Sequence, residues 1–375
     1  MNNIYLLIPD KITGSVILTV ATVIETRGST PQKHGSSALF SEQGLLAGTV
    51  GGGVLEGKVQ QIAQKTVTSK KSGVFHFNLD NDISVKNDAI CGGEATILID
   101  ASPSDHKGVF DLIKQSLRNR IPGVLVTIIS GSSESDIKII RDWITSSSES
   151  NLPVRYSTLL SGEIESLLSA SDSDSFKKFE LTPVGDEKFS FALLESLFPA
   201  PKLIIAGAGH IGRALAHLGK LLSFEVTVAD DRAEYANKIN IPDADHLIVG
   251  DIGETMKKVS KDTDTYIVIV TRGHDDDAKA LKPCIDCGAA YVGMIGSKNK
   301  IAKMHRNFVE NGLATEKQWS AIHAPVGIDI NSKTVEEIAV SIAAQLILVR
   351  NSKMFRPLPT GRQALGDLGA KVIEG

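Results

Sequence analysis

The stretch Lys202–Asp231, "KLIIAGAGHIGRALAHLGKLLSFEVTVADD", decides the fold of the second half of this chain. "KLIIA" is a short apolar run suited to a buried strand, and Gly207, Gly209 and Gly212 complete a GxGxxG directly after it. In such a turn the first glycine permits a tight bend and the second lets backbone approach a phosphate. The third lets the following helix pack on the strand. The start of that helix adds unpaired N–H groups and the positive end of its dipole, a ready site for anions. Asp230 ends the next strand, 23 positions after Gly207, where an acid usually meets a ribose hydroxyl. Strand, turn, helix and acid in this order predict a Rossmann-like domain. On ligand binding, a glycine turn needed only for packing is the plainer alternative.

Downstream the rhythm stays strand–helix–strand: "ADHLIVG", "TYIVIV", "DDDAKALKPCIDCG", "AYVGMIG", then a long helix over about 335–349. Short β-branched strands alternating with helices predict a mostly parallel sheet covered on both faces. "TRGHDDDAKAL" follows a strand, which places Thr271, Arg272, Gly273 and His274 at the carboxyl edge, where open α/β sheets bind ligands. His274 is read as functional there. His210, at the helix start inside the fingerprint, either donates to a phosphate or packs against the sheet. Asp275, Asp276 and Asp277 suit the N-terminal turn of the next helix and read as caps. Cys284 and Cys287 form a CxxC at a helix end, where the dipole raises a thiol pKa, so the pair reads as structural.

Upstream, "SVILTVATVIE" predicts a buried strand, "ALFSEQGLLAGTV" a hairpin, and "VLEGKVQQIAQKTV" a helix. "EATILID", "GVFDLIKQSLRNR" and "GVLVTIIS" continue as strand, helix and strand, an N-terminal α/β domain. Serine-rich segments at about 145–180 read as exposed loops. "LFPAP" (197–201) is the sharpest break, because each proline holds its predecessor extended. The expected division is 1–197, 198–352, and a mobile tail over 353–375. Gly51, Gly52 and Gly53 precede a helix with Glu56 in its first turn, a second candidate phosphate cradle if they do more than pack a loop. Cys91 stands before two glycines, either as a small buried hydrophobe or as an accessible thiolate.

The chain of 375 residues has a formal net charge of −4 and no basic block, which argues against nucleic acid as its main partner. No apolar run approaches the roughly 20 residues of a membrane helix, and three cysteines build no disulfide framework. With no signal-like N-terminus, a soluble, cytoplasmic protein is expected. A homodimer is the usual state for such a chain.

"ETRGSTPQKHGSS", "AGTVGGGVLEGKV", "CGGEATILID", "IIAGAGHIG", "TRGHDDDAKAL", "YVGMIGSKNK" and "APVGIDINSKTVEEIAVSIAAQLI", in this order, resemble the XdhC/CoxI family. Its members are accessory proteins that mature molybdenum hydroxylases such as xanthine dehydrogenase. The resemblance implies a chaperone for the molybdenum cofactor (molybdopterin) that assists its sulfuration by a cysteine desulfurase and hands it to the apo molybdenum hydroxylase. It also implies a Rossmann-like C-terminal domain. By motif, Gly51, Gly52, Gly53, Glu56 and Cys91 fall in the N-terminal signature, and His210, Thr271 and His274 in the C-terminal one. Some CoxI-type members carry a cysteine directly after the glycines; this chain has Val54, which leaves Cys91 as the single thiol of a glycine-rich signature.

These readings converge on two glycine-rich turns lining one cleft around the phosphate and pterin, with Cys91 as the candidate contact to molybdenum. An NAD(P)-dependent oxidoreductase with His274 as proton donor is the alternative; it explains Asp230 but not the triple glycine. A scaffold whose nucleotide is purely structural is the third.

Overall fold

The computed structural model describes residues 3–12, 16–30, 32–79, 93–148, 150–169 and 175–352. Cys91 and the segment 353–375 expected to be mobile lie outside them. The chain divides into two compact units, Met1–Pro199 and Ala200–Gly375.

The first unit holds two antiparallel sheets. One has the order β3-β2-β1-β5-β4, from β1 (Leu18–Gly28), β2 (Ser37–Ser41), β3 (Gly44–Gly48), β4 (Gly73–Asn78) and β5 (Gly93–Asp100). The other has the order β7-β6-β9-β8, from β6 (Gly123–Ser133), β7 (Asp136–Ile144), β8 (Phe176–Leu181) and β9 (Phe189–Leu197). Its helices are α1 (Ile8–Ile12), α2 (Gly53–Ser69), α3 (Lys107–Arg118) and α4 (Val154–Ser169). The two-residue period of a strand sorts the apolar side chains between layers. Ala21, Val23, Ile97 and Ile99 meet Leu55, Val59 and Ala63 of α2. Val124, Val126 and Ile128 meet Leu160 and Ile164 of α4. Ile24, Leu98, Ile129 and Leu193 fill the space between the sheets. There a buried Arg141 on β7 donates to Asp100 on β5 at 2.5 Å and ties one sheet to the other.

The second unit is a five-stranded parallel sheet of order β12-β11-β10-β13-β14. Its strands are β10 (Lys202–Ala206), β11 (Glu225–Asp230), β12 (His246–Val249), β13 (Thr265–Ile269) and β14 (Tyr291–Met294). The helices are α5 (His210–Leu221), α6 (Ile252–Lys258), α7 (His274–Leu281), α8 (Lys298–Glu310), α9 (Glu316–Ser320) and α10 (Val335–Ser352). Leu203, Ile205, Val226 and Val228 pack with Leu215 of α5 and Ile342 and Leu346 of α10. Ile204, Ile267 and Ile269 pack with Met256, Leu281, Met304 and Trp319 on the other face. Helices thus cover both faces, as the alternating pattern predicts. The buried Cys284 donates its Sγ–H to the Ala280 carbonyl, and burial pushes its thiol up to about 12, in keeping with a structural role.

The serine-rich region departs from the sequence-based expectation. Instead of loops throughout 145–180, it contains the 16-residue α4 and the strand β8. Tyr156, Leu160, Ile164 and Leu167 recur at helical spacing and are all buried, so a continuous apolar stripe outweighs the serines on the solvent face. Leu160→Ala should therefore lower the unfolding free energy of this unit by about 3 kcal/mol. Leu159→Ala, at a side chain 62% exposed, should change it by less than about 0.5 kcal/mol. Urea denaturation of both variants measures the contrast, and equal effects would contradict the buried stripe.

Candidate functional site

The three fingerprint glycines do different work. Gly207 has φ +119°, and a Cβ on it would stand 2.5 Å from the Val270 carbonyl oxygen. A Cβ on Gly212 would sit inside contact distance of the Gly207 carbonyl, so α5 can lie this close to its strand only without one. Gly209 differs: a Cβ there meets nothing within 4 Å. It is the N-cap of α5, no side chain caps it, and the first turn of α5 contains no acid. The first-turn N–H groups thus have the helix dipole behind them and no side-chain cap, with open space where a Gly209 side chain would stand. His210, the first residue of the helix, is exposed.

β10 lies between β11 and β13, and the chain leaves it toward β11 first and β13 later, so the order reverses beside β10. Ligands of open α/β sheets bind at such a point, outside the carboxyl ends of the strands. α7 begins there as well, after β13, with Gly273 as an N-cap that also lacks a side-chain cap and has open space around it. His274 is its exposed first residue. Unlike α5, α7 carries Asp275, Asp276 and Asp277 in its first turn, so an anion is better held at α5.

Asp277 is not the simple cap that the sequence predicts. It is fully buried; the Thr271 hydroxyl donates to one of its oxygens and the Lys300 ammonium to the other. Burial pushes its carboxyl above the ordinary value against the pull of Lys300 and Thr271. Thr271 is thereby held by the side-chain network beneath the α7 N-terminus. Arg272 bonds Asp231 at 2.9 Å and lies 3.5 Å from Asp276.

Asp230 is 4% exposed, and its carboxylate is fully engaged within the unit. One oxygen accepts from the Arg232 backbone N–H (3.0 Å) and from Arg232 Nε (2.8 Å). The other accepts from the Ala208 N–H (2.7 Å) and Arg232 Nη2 (3.0 Å). Burial acts to raise its pKa, but the Arg232 guanidinium and the Ala208 N–H outweigh it and hold the carboxyl below its ordinary value. Gly207, Asp230, Asp231, Arg232, Thr271 and Arg272 line one shallow, open depression. Arg232 and Lys300 were not singled out from the sequence. Arg232 stands two positions past the fingerprint acid and Lys300 inside "YVGMIGSKNK", and only the fold brings them to this edge.

In the first unit Gly51, Gly52 and Gly53 all have positive φ, +136°, +69° and +55°. A Cβ on Gly52 or Gly53 meets nothing within 4 Å, so the bend requires glycine for its backbone and leaves that backbone open. Glu56 turns back onto the loop. Its carboxylate accepts from the Thr49 hydroxyl at 2.6 Å and the Val50 N–H at 3.2 Å, fixing the entry to α2. Among the described residues no group of three or more His, Cys, Asp or Glu side chains could hold a metal ion, and no helix is long and apolar enough to cross a membrane.

Residues 203–346 match the family model of the XdhC Rossmann domain, and residues 17–78 that of the XdhC and CoxI family. A Bacillus subtilis protein whose name makes it a probable component of xanthine dehydrogenase is 22% identical over 365 residues, covering 93% of this chain and 98% of its own. Escherichia coli YqeB is 23% identical over 360 residues, covering 94% of this chain and 48% of YqeB, so the chain spans about half the length of that relative. A crystal structure described as a xanthine dehydrogenase from Bacillus halodurans shares the fold, with a TM-score of 0.72 and 22% identity over 95% of this chain and 98% of that one.

Gly212→Ala should destabilise the second unit by about 3 kcal/mol through forced displacement of α5, whereas Gly209→Ala should leave its melting midpoint nearly unchanged. Thermal unfolding of both variants distinguishes packing glycine from open glycine. Because the folded pKa of Asp230 is depressed, its stabilisation is complete above the ordinary carboxyl pKa of about 3.9 and is lost as pH falls through the folded value. Stability should drop below about pH 4, and Asp230→Asn, weaker at neutral pH, should lose less on acidification.

Proposed function

Because the chain belongs to the XdhC and CoxI family, we propose that it matures a xanthine dehydrogenase-type molybdenum hydroxylase by binding the molybdenum cofactor, supporting its sulfuration and passing it to the apoenzyme. The observation that carries this reading is the uncapped, acid-free N-terminus of α5, with Gly209 open to solvent beside the point where the strand order reverses. Backbone N–H groups at such a terminus suit the phosphate of a pterin cofactor. His210 adds a side-chain donor at the same turn, while Thr271 and His274 lie at the neighbouring helix start. The open backbone of Gly52 and Gly53 supplies a separate candidate anion cradle within the first unit, with Glu56 shaping the loop. Cys91 is the candidate thiolate for molybdenum or its exchangeable sulfur. The cargo itself supplies the oxo-transfer chemistry of the client; the chain's own part is to hold the anionic end and shield the rest. Its partners in this reading are the apo molybdenum hydroxylase and a cysteine desulfurase, and it acts as a cytoplasmic homodimer.

Equilibrium dialysis with isolated molybdenum cofactor tests this directly. Wild type should retain the cofactor, and Gly209→Val, Gly51→Val and Cys91→Ala should each weaken retention about tenfold or more, equivalent to about 1.4 kcal/mol. Retention indifferent to all three, or absent in the wild type, would refute it. Reduced-nicotinamide absorbance in the purified protein, without molybdenum or pterin fluorescence, would favour an NAD(P) enzyme instead.

A further inference from the structure

The ordinary reader of a ribose in a Rossmann fold is the acid at the end of the second strand, whose two oxygens accept the sugar hydroxyls. Here that acid is Asp230, and four donors already fill its acceptor positions: the Ala208 N–H, and from Arg232 the backbone N–H, Nε and Nη2. A carboxylate offers about four lone-pair sites, so none remains for a ribose hydroxyl. We propose that Arg232 is a specificity-determining residue that takes Asp230 out of ribose recognition, so that the Rossmann unit selects ligands by their phosphate and discriminates against NAD(H)-type dinucleotides. This rests on the proposed function, in which the unit holds a phosphate-bearing ligand, and it names what that site refuses.

Magnitudes decide which arginine of the depression is fixed. Arg272 pairs with Asp231 between side chains 53% and 46% exposed, and such surface pairs contribute about 0–1 kcal/mol, so an incoming ligand displaces it readily. Arg232 is held bidentately by a carboxylate 4% exposed, and its guanidinium lies 3.9 Å over the Tyr235 ring. Removing it from Asp230 leaves a buried charge with half its partners gone, which is far more costly than opening a surface pair. Nor does a ribose hydroxyl replace a guanidinium in kind: the charge-assisted bidentate pair is the stronger of the two. Asp230 nevertheless lines the open depression together with Gly207 and Arg232. Its carboxylate is thus at the right place for ribose, and what prevents the contact is its partner.

The test is a gain of function. Binding of NADH and of inorganic pyrophosphate is measured on the full chain by titration calorimetry, for wild type, Arg232→Ala, Arg232→Gln and the double variant Asp230→Asn/Arg232→Ala. Wild type should bind NADH no more tightly than pyrophosphate. Arg232→Ala should gain at least about tenfold for NADH, with pyrophosphate within about twofold of wild type. Arg232→Gln, which keeps one donor to Asp230, should fall between them and supplies the answer if Arg232→Ala does not fold. The double variant should lose the gain. Pyrophosphate binding with no NADH gain in either Arg232 variant overturns the specificity role alone. Absence of pyrophosphate binding in every form overturns the phosphate-holding reading and this inference with it. Tight NADH binding by wild type, tenfold above pyrophosphate, also overturns the inference.

Discussion

The hydrogen bond from the Ala208 N–H to the Asp230 carboxylate, 2.7 Å long and buried, is the constraint on which the glycine turn depends. It ties the loop after β10 to the end of β11, and the Gly207 N–H, donating to Ala229, repeats the tie one residue earlier. With the turn pinned on that side, the close approach of Gly212 to the Gly207 carbonyl fixes α5 on the other. Gly209 is then left as the residue where backbone faces outward. Arg232 completes the arrangement by neutralising Asp230, adding a charged partner to the two backbone donors, the Ala208 and Arg232 N–H groups, against the cost of burying the carboxylate.

The first unit solves a different problem with the same economy of means. Two antiparallel sheets meet face to face, and a sheet interface is normally apolar. Ile24, Leu98, Ile129 and Leu193 supply that interior, but the Arg141–Asp100 pair crosses it. A buried ion pair contributes little net stability compared with well-packed apolar groups, while loss of either partner is severe. It joins β5 to β7 at one point, Asp100 to Arg141. The triple glycine lies at the rim of the same unit, where α2 begins, and Glu56 anchors that rim to Thr49 and Val50.

Much of this was legible in the sequence, and the gaps have physical causes. The β10–α5–β11 unit could be read because strand, glycine spacing and acid are local and mutually consistent. The hairpin of β2 and β3 was visible for the same reason. α4 was hidden because its serines obscured a four-residue apolar stripe, and composition is a weaker signal than period. The candidate site was legible only as a set of loops. That Thr271 and Lys300 converge on the buried Asp277 requires knowing that β13 and β14 are neighbours. Asp230 was correctly located at the strand end, yet its engagement with Arg232 is a matter of side-chain rotamer, which no spacing reveals.

Tyr5, in the short turn of helix Ile4–Leu6, stacks on Phe110 and donates its hydroxyl to Glu195 on β9, 190 positions along the chain. The central strand β6 likewise pairs with β9, Gly123 opposite Leu197. During translation, therefore, the first unit is unable to close until the ribosome has delivered its final strand, and the inner faces of its sheets wait uncovered until then. In the second unit one face of the sheet likewise waits for α10, whose Ile342 and Leu346 cover Leu203 and Val226. Nascent chains held short of Leu197 are therefore one stage at which apolar sheet faces lack their cover.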